Sequence, residues 1–204
     1  MRWRVLSLLL LVAVIGGLGG RAAVTTSHPF TLEELTYVAD RILIGTVLDT
    51  EARFTPDART IFTHVEIEVD EVLKGPADLQ SQEVLVLGGE VAGFGMHAIG
   101  SPEFDPGEQV LLFLEELDHG MTVLGWEQGK FSVEHSPELG QAVARRGPSG
   151  AQGRGFALAA LRAEIVADVK ADHVPEYREI PGLLAHKRAA FRAHWGLPQQ
   201  EVGR

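Results

Sequence analysis

The chain has no cysteine among its 204 residues. That excludes a disulfide framework, a thiol nucleophile and a lipid-modified N-terminal cysteine, so the fold must hold by burial alone. Basic side chains are scarce in the first two thirds. From Ala23 to Leu139 there are 22 acidic residues against 5 basic ones. A surface of that charge repels phosphates, which argues against nucleic-acid binding. Motifs of catalysis are missing too. There is no GxSxG and no HExxH, and the eight histidines form no close cluster with ligand spacing. No apolar run reaches the ~20 residues that span a bilayer.

The longest such run, Val5 to Ile15, sits behind Arg2 and Arg4 and ahead of Gly16, Gly17, Gly19 and Gly20. A positive segment, a short apolar core and a small-residue site form a secretory leader. The pattern predicts a signal peptide over 1–22, cleaved after Ala22, with Ala23 as the second choice and an uncleaved anchor as the rival reading. It places the protein outside the cytoplasm, secreted or periplasmic, with no membrane attachment after cleavage. The remainder is long enough for one domain with an appendage. Its charge is divided: Gly140 to Arg204 carries 10 basic and 6 acidic residues. A mildly basic tail either stays in solvent or folds back on the acidic domain.

The clearest structural signal is Ile61 to Val72, where Ile61, Thr63, Val65, Ile67 and Val69 alternate with Phe62, His64, Glu66, Glu68 and Asp70. Period-two alternation is a strand with one buried face. Further strands are predicted at Arg41–Leu48, Glu83–Leu87, Val110–Leu114, Met121–Trp126 and Lys130–Glu134, with Asp118-His119-Gly120 as a hairpin turn. Six short strands with close turns favour a small closed antiparallel barrel. Thr31-Leu32-Glu33-Glu34 is a capping box that opens a helix to about Ala39, with Phe30 stapled on Leu35. The barrel domain therefore covers 23–139. Residues 140–155, rich in glycine and arginine, read as a flexible linker. Residues 156–204 read as a helical segment: Leu158, Leu161, Ile165 and Val169 form one apolar stripe, and Leu184, Phe191 and Trp195 anchor a second helix.

Candidate chemistry is thin. His64 beside Glu66 and Glu68 offers at most a weak divalent site, and a solvated strand face is the simpler reading. Glu115-Glu116 and Asp70-Glu71 are adjacent on strands, so their side chains diverge and cannot share acid and base roles. Gly93-Phe94-Gly95-Met96-His97-Ala98 matches GxGxxA, but Ile99-Gly100-Ser101-Pro102 forbids the helix a dinucleotide would need. What remains is a glycine-rich loop, Gly88 to Gly100, with the segment Ser101–Phe104 beside it. It offers Phe94, Met96, His97 and Phe104 as binding residues, because loops on a rigid scaffold commonly carry recognition. No catalytic residue, metal ligand or cofactor is predicted.

Ala39-Asp40 runs into a strand containing Ile44-Gly45-Thr46-Val47, and Glu71-Val72-Leu73-Lys74-Gly75 closes the next long strand. This arrangement resembles the start of the netrin-like, tissue-inhibitor-of-metalloproteinase domain. Gly88-Gly89, Phe104, Pro106-Gly107-Glu108, Gly125 and Gly129-Lys130-Phe131 resemble a family of uncharacterised secreted bacterial proteins of similar plan. The resemblance spans about 31–134 and implies a mainly β, OB-like antiparallel barrel. The cysteine with which tissue inhibitors reach a protease zinc has no counterpart here, so inhibition carries over only as a fold-level analogy. The expected function is a non-catalytic protein-binding module whose partner is another secreted protein, a protease among the candidates. The alternatives are a metalloprotease inhibitor or protease-associated chaperone, and a metal-dependent enzyme of unrecognised class.

Overall fold

The computed structural model describes residues 29–146, 155–180 and 183–197. The predicted leader and its cleavage site lie outside the described residues, as does 147–154 of the expected linker. Helix α1 (Leu32–Val38) starts at Thr31, whose hydroxyl accepts from the Glu34 amide while the Glu34 carboxylate accepts from the Thr31 amide. The capping box is thus formed. Strands β1 (Arg41–Phe54), β2 (Ile61–Lys74) and β3 (Ser81–Leu87) follow. A hairpin of β4 (Gly89–Val91) and β5 (Phe94–Met96) comes next, then β6 (Gln109–Leu117) and β7 (Gly120–Val123). A short 3-10 turn (Trp126–Gly129) leads into β8 (Lys130–Ser136), β9 (Gln141–Arg146) and β10 (Gly155–Ala157). Helices α2 (Leu158–Ala171) and α3 (Ala185–His194) complete the chain.

The protein is mainly β. Eight strands form one antiparallel sheet in the order β10-β9-β8-β6-β1-β2-β3, with β7 also paired to β6. The sheet is open, because no ladder joins β3 to β7 among the described residues. The closed barrel expected from the strand count is therefore not present as a hydrogen-bonded cylinder. The two edges nonetheless approach: a Cβ on Gly120 would stand 3.0 Å from Leu85 Cδ1. The curl gives the sheet two apolar faces. Val110, Leu112 and Leu114 of β6 lie inside the curl with Leu43, Val47, Val65, Ile67, Val84 and Val86. Leu111 and Phe113 point the other way, into a second core with Ile42, Ile44, Phe131 and the helices. A strand buried on both faces must read as an unbroken apolar run, and β6 does.

The expected linker is the main departure. Residues 141–146 are not flexible chain but strand β9, paired with β8 from Ser136↔Gln141 to Phe131↔Arg146. The tail beyond docks on the outer face. Leu161 and Ile165 of α2, Ile180, Leu183 and Phe191 are all in that core. Trp195 is not the anchor expected of it, since it is 44% exposed; Leu183 holds that place with Phe191. Ion pairs accompany the docking. Arg162 grips Glu71 through Nε, at 2.9 and 2.7 Å from the two carboxylate oxygens. Arg178 pairs with both oxygens of Glu34, which is 2% exposed. Lys187 bonds Asp40 Oδ2 at 2.7 Å and the Val38 carbonyl at 2.8 Å. The basic tail therefore folds back on the acidic domain, and charge complementarity guides where it sits.

Candidate functional site

The helices cover the sheet near α1, while the end near the β4–β5 hairpin is open. Here β1 and β2 extend as a long ribbon from Thr50↔Val65 to Phe54↔Ile61. A bulge between Val47/Ile67 and Asp49/Glu66 resets the register, so Thr50 takes over the face that Val47 held. The hairpin lies across that ribbon. Gly89 makes this possible: a Cβ there would stand 2.6 Å from Thr63 Oγ1 and 2.8 Å from Ala52 Cβ. Between β4 and β5, Ala92 and Gly93 have φ of 51° and 81°, as a tight right-twisting two-residue hairpin requires.

A groove of about 610 Å³ opens between this hairpin and the segment 101–104. Met96, His97 and Phe104 line it, together with Thr50, Thr63 and Glu90. Three of the four residues nominated from sequence thus meet in one recess, although Phe104 is eight positions from Met96. Phe94 does not line the groove. It stands outside, 68% exposed, with its ring 6.4 Å from that of Phe54 in an edge-on pair. The loop expected over Gly88–Gly100 is in part this hairpin.

Lys130 supports the groove's Glu103–Phe104 side from behind, and sequence reading did not name it as a site residue. Its side chain is buried, with Nζ 2.8 Å from Glu108 Oε2 and bonded to the Glu103 carbonyl. Ser132 Oγ donates to Glu108 Oε1 at 2.5 Å. The ammonium also lies 4.6 Å from the centre of the Phe104 ring, a cation–π contact. One lysine therefore fixes both the backbone and the aromatic ring of the 103–104 segment. The only advance signal was Lys130 itself, a lone cation following Gln128-Gly129.

A second, smaller recess of about 220 Å³ adjoins the groove, and Ser101 and Pro102 line both. Trp126 flanks it on a strained backbone. Gly125 and Trp126 are consecutive left-handed residues, at φ of 65° and 63°. For a bulky side chain that conformation costs energy and turns the indole outward, half exposed. Glu115 lines the same recess, and burial pushes its carboxyl pKa up against the opposing charges of Lys187 and His186.

No family model, curated protein or solved structure matches this chain. The reading of the site therefore rests on its own chemistry. Among the described residues, no three His, Asp or Glu side chains gather as a metal set. His64, the sequence's best metal candidate, faces Glu83 Oε1 at 2.9 Å. No helix among the described residues is long and apolar enough to cross a membrane. What the open end offers is recessed surface with aromatic, thioether and hydroxyl groups, suited to holding another molecule by shape.

Proposed function

We propose that this chain is a non-catalytic binding module that acts after export and holds a partner protein at the groove beside the β4–β5 hairpin. The observation that carries the reading is the convergence of Met96, His97 and Phe104 on one groove, with Phe94 exposed at its edge. Exposed aromatic and sulfur side chains around a recess are the usual anchors of protein recognition. Lys130 keeps the wall rigid, so less ordering entropy is lost when a partner docks.

Under this reading the curled β1–β2–β3 and β6–β7 strands make a nearly closed OB-like barrel of netrin-like plan. The approach of Leu85 to Gly120 and the shared inner core support it. The test is capture from the native secreted fraction, comparing the wild-type chain with the triple variant Phe94→Ala, Met96→Ala, His97→Ala. A partner held by wild type and lost by the variant is the expected result. Equal recovery by both overturns the assignment of the groove.

A further inference from the structure

The smaller recess is chemically unlike the groove. Its walls are apolar at Val86, Leu87 and Pro102 and aromatic at Phe62, His119 and Trp126. The Phe62 and His119 rings lie 5.1 Å apart. Glu115 is the one carboxylate lining it, and among the described residues no hydrogen bond or ion pair engages that carboxylate. Of the two cationic groups that act on it, Lys187 and His186, Lys187 is held by Asp40 and the Val38 carbonyl. Neither the recess nor the groove is lined by a lysine or arginine, and Glu90 and Glu103 line the groove. The recess thus joins one partly desolvated carboxylate to aromatic faces, and the cation nearest the groove, Lys130, is engaged by Glu108 and the Glu103 carbonyl.

We propose that the recess receives a lysine side chain of the partner protein, whose chain continues over Ser101–Pro102 into the groove. The butyl stem lies on Val86, Leu87 and Pro102, which takes apolar surface out of water. The ammonium meets the Glu115 carboxylate and the faces of Phe62 and Trp126, each attractive to a cation in a partly desolvated site. The strained Gly125-Trp126 pair then has a use, since it holds the indole where the ammonium arrives. Charge complementarity selects the occupant: a neutral or acidic side chain brings no counter-charge into contact with the partly buried Glu115 carboxylate. This inference rests on the protein-binding reading of the groove.

The test titrates the full chain with two capped peptides, Ac-Leu-Lys-Leu-amide and its norleucine isostere, and follows the Trp126 indole N–H by NMR. The lysine peptide should bind about tenfold tighter, as expected for a desolvated cation at a carboxylate and aromatic rings. It should shift the Trp126 signal, and Glu115→Gln should bring the ratio of the two affinities to about one. The ratio should persist in the Phe94/Met96/His97 triple-alanine variant. Equal affinities, no binding of either peptide, or a ratio unchanged by Glu115→Gln overturns the proposal. Butylammonium binding as tightly as the lysine peptide also overturns it, by making the ligand a free amine. Failure here with groove-dependent capture intact removes only the lysine pocket. Selectivity for lysine with capture unaffected by the triple variant removes only the groove reading.

Discussion

The two ends of the sheet treat charge in opposite ways. At the helical cap, acidic groups of the sheet and α1 are met by cations from the tail: Glu71 by Arg162, Glu34 by Arg178, Asp40 by Lys187. At the open rim, Glu90 has no such partner among the described residues, and Phe94 and Trp126 are largely left in water, while Glu115 lies between the two ends and feels Lys187 and His186 without bonding either. Under the proposed binding function, a chain that satisfies carboxylates at one end and not at the other separates stability from recognition. Surface ion pairs contribute little, but Glu34 is buried, so its pairing decides whether the cap stays on.

The difference can be broken from the cap side first. Phe191 is 1% exposed and packs its ring 5.3 Å from both Tyr37 and Tyr177. Phe191→Ala should cost about 4 kcal/mol of unfolding free energy in urea titration. Arg178→Ala strands a buried carboxylate and should cost about 3 kcal/mol in the same assay. The pH dependence has a definite sign. Burial alone would raise the Glu34 pKa, but Arg178 and the Thr31 cap outweigh it and hold the carboxyl below its ordinary value. Asp40 is likewise depressed, with Lys187 and the Glu116 amide outweighing burial. Stability from both groups is present above the ordinary carboxylate range and is lost as pH falls through their depressed values. Arg178→Ala should flatten that acid limb. Thr31→Ala removes one cap bond and should cost about 1 kcal/mol.

From the rim side the effects on stability are smaller still. Each alanine in the Phe94, Met96 and His97 set should shift unfolding by no more than about 0.5 kcal/mol, because these side chains pack on little. Glu115 has the opposite sign to the cap carboxylates. Its raised pKa means the folded state takes up a proton more readily, so its contribution declines as pH rises through its titration. Glu115→Gln should remove that decline, read as a flatter stability curve on the alkaline side of the carboxylate range.

The sequence disclosed what depends on local pattern. Alternation marked β2, the capping box marked α1, and the stripe Leu158, Leu161, Ile165, Val169 marked α2, where Leu161 and Ile165 are buried. It hid what depends on long-range pairing. Strand β1 runs on to Phe54, past the Leu48 end expected from sequence, because the bulge after Val47 resets the register, and the polar stretch from Glu51 to Arg59 reads as loop where 51–54 is strand. Strand β9, Gln-Ala-Val-Ala-Arg-Arg, is short and charged, and is a strand because β8 offers it an edge. At the site, Met96, His97 and Phe104 were visible as side chains on a glycine-rich segment. Phe62, Glu115 and Trp126 were not, because only the curl of the sheet brings residues so distant in the chain to one recess.

Hydrogen exchange on the full chain, with and without the protein captured from the secreted fraction, tests the separation of the two ends most directly. Added protection over residues 88–104 and 115–126, with none over 158–195, is the predicted result. Added protection confined to 158–195 would contradict it, and would make the basic cap rather than the acidic rim the surface that binds.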